Sequence, residues 1–324
     1  MPSVVGGGVR PASGWRRTLC PYCGVGCGLL VQVEDGVVKR VKGDPDHPSS
    51  LGDVCAKAVH LPPALCTPDR LLYPQLRTRR DAAPARVPWE LAIRFVADQL
   101  REIAARHGPD AIAFYGSGQL LTEEYYVASK LAKGVLGTNN FDTNSRLCMA
   151  SAAAGYARSL GSDGPPCAYD DIEAADCFFL IGTNTADCHP VTWKRIRKRK
   201  LSARDEVTVV VADPRWTETA DIADLHLPLR PGSDVALLNA MLHVLWKEGM
   251  LAEEFMARHT SGWPALETTL VRYSPEHAAA LTGLSTDIIV ETARRTGQTY
   301  MMAENNCYQH YIRPELEQLR RRTT

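Results

Sequence analysis

The chain has 324 residues, 45% of them apolar and 23% charged, which excludes disordered and collagen-like classes and leaves room for a sizeable core in more than one domain. Lys plus Arg and Asp plus Glu number 37 each, so no global field points towards nucleic acid or a membrane surface. Ten cysteines are many for a reducing compartment unless a metal cofactor accounts for some of them, and four cluster near the start.

Residues 1–17 hold no apolar run long enough for a signal-peptide core or a spanning helix, and are read as a disordered N-terminus. Arg16-Arg17 is followed so soon by Cys20 that no apolar export segment fits between them, so the expected location is the cytoplasm, with no membrane partner. Cys20 to Gly28 then reads C-P-Y-C-G-V-G-C-G, and C-A-K closes the stretch at Cys55 to Lys57. Three thiols in one turn and a fourth from a distant segment are the way a chain wraps a cubic iron-sulfur cluster, with Cys20, Cys23, Cys27 and Cys55 as its ligands. A structural zinc site is the alternative, but zinc modules usually present two C-x2-C pairs. Glycines at 24, 26 and 28 allow sharp turning and bring amide N–H groups towards sulfur. Between the cysteines, L-L-V-Q-V-E and V-V-K-R-V flank Asp35-Gly36 as a hairpin.

Residues 68–88 are rich in Pro and Arg and are read as a surface linker. Trp89 to His107 has helical apolar spacing that stops at Gly108-Pro109. A short strand at Ala111 to Tyr115 runs into the loop Gly116 to Gln119, followed by helices over about Thr122 to Leu136 and Asn144 to Ser159, the latter capped by Asn144 or Ser145. Strands at Cys177 to Ile181 and Val207 to Ala212, separated by a helix from near Pro190, predict a parallel sheet, which Leu225 to Leu229 extends. Helices follow at about Val235 to Glu248, Ala252 to His259, Pro275 to Leu281 and Thr286 to Arg295, and after Gly297 the periodicity is lost.

Ile181 to Cys188 follows a strand and opens a helix, so its amides can face a phosphate or a nucleobase. It does not fit G-x-G-x-x-G, which argues against a nicotinamide fingerprint. Asp213, directly after the next strand, stands where an acidic side chain grips a ribose or a base, and Gly232-Ser233-Asp234 reads as a turn plus a helix N-cap. The basic run Lys194 to Lys200 is read as a solvated helix face, and His189 before Pro190 as a structural cap. Cys66, Cys167, Cys177, Cys188 and Cys307 are assigned to core or loops.

Seven motifs occur in order: C-P-Y-C-G-V-G-C-G, C-A-K, N-S-R-L-C-M-A-S, G-S-D-G-P-P-C-A-Y-D-D, G-T-N-T-A-D-C-H-P, D-P-R-W-T-E-T-A and L-R-P-G-S-D-V-A-L-L-N-A-M. From about Thr18 to Gly297 the chain resembles the molybdopterin oxidoreductase superfamily, most of all the catalytic subunits of bacterial assimilatory nitrate reductases. The resemblance implies an α/β fold, with a small N-terminal iron-sulfur module ahead of Rossmann-like molybdopterin-binding domains. The division is 18–67 for the 4Fe-4S module, 68–142 for the first part of an α/β domain II, 143–297 for an α/β dinucleotide-binding domain III, and 298–324 for an atypical tail.

The implied cofactors are a 4Fe-4S cluster and a molybdenum bis(molybdopterin guanine dinucleotide). Cys148 matches the molybdenum thiolate, Lys57 the lysine between cluster and pterin, and Gln119 and Asn144 match pterin contacts. Gly182, Thr183 and Asn184, then Asp213, Pro214 and Arg215, then Gly232, Ser233 and Asp234 match contacts to the guanine dinucleotide. The implied reaction is reduction of nitrate to nitrite by oxygen-atom transfer in nitrate assimilation, with electrons from a ferredoxin, a flavodoxin or an NADH-dependent reductase subunit. The expected chain is a truncated copy, inactive alone, because such subunits are much longer. A formate dehydrogenase alpha subunit is one alternative, disfavoured because Met149 rather than His follows the metal-binding Cys; a non-catalytic iron-sulfur fragment is another.

Overall fold

The computed structural model describes residues 14–162 and 168–297, together with the backbone of 301–305 and 308–311. The chain divides into two compact units at 59/60 and 163/164, the first unit combining the N-terminal residues with everything after 163.

In the first unit, β1 (Gly14–Leu19), β2 (Gly28–Glu34) and β3 (Val37–Gly43) form an antiparallel sheet in that order. Residues 1–17 carried no expected structure, yet the backbone of Gly14 to Arg17 pairs along β2 while its side chains stay largely in solvent. Strand propensity is weak in that stretch, and the ladder partner decides the outcome. The hairpin at Asp35-Gly36 is present, with both residues in the left-handed region (φ 49° and 77°) that a tight two-residue turn requires. An irregular loop leads from Asp44 to the short helix α1 (Ala56–Val59).

The second unit opens with α2 (Leu61–Leu65). Inside the stretch read as a linker, β4 (Gln75–Leu76) pairs with β5 (Ala85–Arg86). Helix α3 (Trp89–His107) keeps the bounds that its periodicity predicts. Next come β6 (Phe114–Gly116) and α4 (Thr122–Ser129), which continues over Lys130–Leu136 as a π-helix, then β7 (Phe141–Thr143) and α5 (Asn144–Leu160). Strands β6 and β7 pair in parallel, so both carboxyl ends open on one edge. Thr143 occupies the N-cap position of α5 without a side-chain capping bond, one position ahead of the expected Asn144 or Ser145.

The remainder of the first unit is a doubly covered sheet. Its elements are α6 (Asp171–Ala174), β8 (Cys177–Ile181), α7 (Thr185–Cys188), α8 (Pro190–Ser202), β9 (Thr208–Ala212), β10 (Leu225–Leu227), α9 (Asp234–Lys247), α10 (Glu253–His259), α11 (Trp263–Leu270), α12 (Pro275–Thr282) and α13 (Thr286–Gly297). Strands β11 (Met301–Asn305) and β12 (Tyr308–Tyr311) complete the order β10-β9-β8-β11-β12. β8, β9, β10 and β11 are all parallel, and β12 closes the edge antiparallel. The region after Gly297, which showed no periodicity, therefore holds two strands of the sheet; strand β11 next to β8 is set by neighbouring backbone rather than by its own pattern.

Period-two geometry sorts the central strands between two cores. Cys177, Phe179, Val210 and Ala212 face α9, α12 and α13, whereas Phe178, Leu180, Val209 and Val211 face Ile172, Trp193 and Ile196. Burial on both faces explains the unbroken apolar runs C-F-F-L-I and V-V-V-A.

Candidate functional site

The cysteine turn closes on itself between β1 and β2: Cys20 N–H donates to the Cys27 carbonyl at 2.9 Å, and Gly26 N–H to that of Cys23 at 3.4 Å. Gly26 sits at φ 65°, the left-handed conformation that lets a chain reverse here. Val25 and Cys27 are buried and form one apolar cluster with Val191, against which Cys20, Cys23, Cys55 and Tyr169 pack. Burial pushes the Cys27 thiol up to about 11, with the neighbouring Cys20, Cys23 and Cys55 charges adding to the effect. Burial likewise raises Cys20; the Tyr22 backbone N–H and Lys57 oppose the rise, while Cys23 and Cys55 add to it. Mutual influence among all four is what convergent thiols produce, and a bound cation relieves it by holding them as thiolates.

Among the described residues, no three or more His, Cys, Asp or Glu side chains are disposed to chelate a single ion. A zinc ion would need each sulfur at about 2.3 Å. The four thiols share one apolar cluster with Val25 and Val191, and three from one turn with a fourth from afar is the ligand pattern of a cubic iron-sulfur cluster. Cys55 stands just before α1, and its carbonyl accepts from Ala58 and Val59 N–H groups at 3.1 and 3.3 Å. Lys57 is exposed on α1, near enough to Cys20 for its charge to act on that thiol. Ala58 is buried within this helix.

The loop from Asp44 to Asp53 is sewn to the cysteine turn. Ser49 Oγ donates to the Gly26 carbonyl at 2.9 Å, and Gly28 N–H donates to Ser50 Oγ at 3.2 Å. Arg17 pairs with buried Asp44 at 3.1 Å and also with Asp46. From the sheet side, Lys194 Nζ donates to Asp53 and to the Val54 carbonyl, fixing the approach to Cys55. Here the reading of Lys194 to Lys200 as a solvated face is corrected in part: Arg195 and Lys200 are buried and fully engaged, whereas Lys194, Arg197 and Lys198 have the exposure expected. Amphipathic spacing could not reveal this, because the acceptors that compensate burial come from segments far along the chain.

The second unit gathers the residues of the metal-thiolate candidate. Gln119 lies in the loop beyond β6 and Asn144 begins α5 directly after β7, so the parallel pairing brings both to one strand-end edge. Asn144 Oδ1 accepts from Gly118 N–H at 2.5 Å, and Tyr125 O–H donates to the Ser117 carbonyl. A Cβ at Gly118 would lie 2.5 Å from Ser145 Oγ and 3.0 Å from Asn144 Oδ1, so a larger residue here would displace both side chains. Cys148, one helical turn beyond Asn144, shares its face, is exposed and forms no disulfide. It is the fifth residue of α5. Arg146 is paired with Asp142 at 2.8 Å.

At the sheet of the first unit, Gly182, Thr183 and Asn184 follow β8, Asp213, Pro214 and Arg215 follow β9, and Gly232 and Ser233 lie between β10 and α9, which Asp234 opens. Parallel strands put these groups on the carboxyl edge, where open α/β sheets bind nucleotides. Thr183 Oγ1 meets Thr185 Oγ1 at 3.0 Å, Asn184 Oδ1 accepts from Thr219, and buried Asp213 Oδ1 accepts from Arg215 N–H at 2.8 Å. Ser233 occupies the N-cap position of α9, but its hydroxyl donates back to the Arg230 carbonyl at 2.6 Å. His189 likewise occupies the N-cap position of α8 without a side-chain bond to the helix. Cys177 is a core residue, Cys66 and Cys188 are exposed, and Cys167 and Cys307 lie outside the described residues. Sequence reasoning gave no role to Ser49 or Ser50, and passed over Tyr169 within the motif G-S-D-G-P-P-C-A-Y-D-D and Arg195 within the basic run.

Two family descriptions match the chain: "Molybdopterin oxidoreductase Fe4S4 domain" over residues 14–62 and "Molybdopterin oxidoreductase" over residues 70–304. A nitrate reductase of Synechocystis sp. is 44% identical over 288 residues, 87% of this chain and 40% of the relative. The periplasmic nitrate reductase of Desulfovibrio desulfuricans is 40% identical over 289 residues, 86% of this chain and 38% of its own length. An F420-dependent formate dehydrogenase 1 subunit alpha from Methanococcus maripaludis is 37% identical over 282 residues, 87% of this chain and 40% of the relative. Among solved structures, acetylene hydratase from Pelobacter acetylenicus has the same fold at TM-score 0.76 and 23% identity, over 86% of this chain and 38% of that one. The chain thus spans about 40% of the length of these curated relatives.

Proposed function

This chain belongs to the molybdopterin oxidoreductase family, with an iron-sulfur module ahead of a molybdenum-pterin domain, and from that premise we propose that it serves the reduction of nitrate to nitrite. One observation carries the metal site: the Gly118 to Asn144 bond ties the Gln119 loop to the helix that bears Cys148. Met149 after Cys148, together with relatives named nitrate reductase, supports nitrate over formate.

When bound, the molybdenum centre supplies oxygen-atom exchange and the cluster supplies one-electron storage. In this reading Cys20, Cys23, Cys27 and Cys55 hold the cluster, and the Lys57 charge favours the thiolate of Cys20. Cys148 presents a soft sulfur donor to the metal, while Asn144 and Gln119 orient the pterin by amide donors and acceptors. The residues at 182–184, 213–215 and 232–234 hold the dinucleotide tail through the sheet edge. We assign the protein to nitrate assimilation in the cytoplasm, with a ferredoxin, a flavodoxin or an NADH-dependent reductase subunit as donor, since its cysteine-rich composition suits a reducing compartment.

The test is metal analysis with dye-coupled turnover of the intact enzyme. About four irons per chain with molybdenum, and nitrate reduction without formate oxidation, is the expected result. Formate oxidation without nitrate reduction assigns the protein to the formate dehydrogenases, a reading favoured by the Methanococcus relative. Iron without molybdenum leaves an electron-transfer module, and zinc alone rejects both.

A further inference from the structure

We propose that Arg195 is the positioning residue of the cluster turn, acting through Ser49 and Tyr169 on two of the peptide carbonyls between Cys23 and Cys27, those of Gly26 and Val25. The proposal rests on the reading of the four thiols as cluster ligands. Arg195 lies on α8 and is 5% exposed. Its Nε donates to Glu173 Oε1 at 2.9 Å, Nη1 to the carbonyls of Pro48 and Ser49 at 2.9 and 3.0 Å, and Nη2 to the Tyr169 carbonyl and Glu173 Oε2 at 2.9 and 2.6 Å. Those contacts engage all five N–H donors of a guanidinium, so nothing is left over for another ligand.

Both backbone segments held by Arg195 reach onward to the turn. Ser49, gripped by its carbonyl, donates from Oγ to the Gly26 carbonyl at 2.9 Å. Tyr169, also gripped by its carbonyl, donates from its hydroxyl to the Val25 carbonyl at 3.1 Å. A peptide plane whose oxygen is fixed has its N–H direction fixed too. The plane of Val25 carries the Gly26 N–H, which donates to the Cys23 carbonyl and so sets the turn, and the plane of Gly26 carries the Cys27 N–H, inside the turn that holds three of the thiols. Amide hydrogen bonds to cluster sulfurs are among the determinants of its potential, and outer partners that orient ligands affect metal retention about 10–100-fold. Lysine cannot replace this fork, having three donors at a point and no planar pair.

The experiment uses the full chain purified anaerobically, with Arg195→Lys, Arg195→Met and Tyr169→Phe. Tyr169→Phe removes one hydroxyl bond and retains the ring against Val25 and Cys27, so it reports even if an Arg195 variant fails to fold. Readouts are iron release to a chelator, the midpoint potential and the electron paramagnetic resonance spectrum of the reduced cluster. Expected are about 10–100-fold faster iron release in the Arg195 variants, a smaller increase in Tyr169→Phe, and a lower potential with an altered spectrum in each folded variant. Wild-type spectrum, potential and release rate in Tyr169→Phe together with any folded Arg195 variant would overturn the proposal. Wild-type protein that binds no iron would overturn the cluster reading itself, which is a separate outcome.

Discussion

Replacing Lys200 by Met tests whether the basic helix is held from inside. Lys200 Nζ donates to the carbonyls of Arg204 and Val207 at 2.8 and 2.6 Å and to both oxygens of Asp224 at 2.8 Å. Asp224 in turn accepts from Val209 N–H at 2.7 Å, so the pair locks the end of α8 to the start of β9. The Lys side chain is 7% exposed and that of Asp224 33%. Breaking a fully buried pair costs about 3–5 kcal/mol, and water reaching Asp224 reduces this to about 2–3 kcal/mol. At about 2–4 °C per kcal/mol for a domain of this size, the melting midpoint should fall by about 4–12 °C. The control is Lys198→Met on the exposed side of the same helix, expected within about 0.5 kcal/mol of wild type. Thermal unfolding followed by circular dichroism decides it. Equal midpoints for the two variants would mean that the Asp224 pairing contributes nothing and that the solvated-face reading was right.

Gly43→Ala would put a Cβ 1.9 Å from the Gly52 carbonyl oxygen, a backbone clash that no rotamer relieves, and should destabilise the cysteine module by about 3 kcal/mol. Gly24→Ala meets nothing within 4 Å and should stay within about 0.5 kcal/mol, as cluster loss against temperature will record. Cys148→Ser in the intact enzyme should abolish nitrate reduction while leaving iron content unchanged, whereas Cys27→Ala should lose iron, read by metal analysis. Arg294 holds the Glu248 carboxyl below its usual value of 4.5, so the stability from this pair is present above 4.5 and lost as pH falls through the depressed value. Glu248→Gln should therefore flatten the acid side of a stability profile slightly and leave the neutral side's pH dependence unchanged.

The site was legible wherever chemistry is written in contiguous residues. The turn Cys20 to Gly28 offers three candidate ligands at once, and Asn144 and Cys148 share a helix face simply because they lie four apart. Helices α3 and α5 were recoverable because periodicity and alanine content are local properties. β1 and β11 were not, since each depends on a ladder partner, β2 for the first and β8 for the second. The three glycines of the turn looked alike, yet Gly26 needs its left-handed φ, Gly28 needs room because a Cβ would meet His47 at 2.3 Å, and Gly24 needs neither.

The sequence alone determined the identity and spacing of the thiols, the family, and the alternation of strands and helices, each of which is written in short local motifs that keep their order along the chain. Tertiary structure alone decided what holds the cysteine turn. Arg195 is separated by 146 positions from Ser49 and by 26 from Tyr169. A buried cation is tolerated only where distant carbonyls and a carboxylate converge on it, and no pattern along the chain records that convergence.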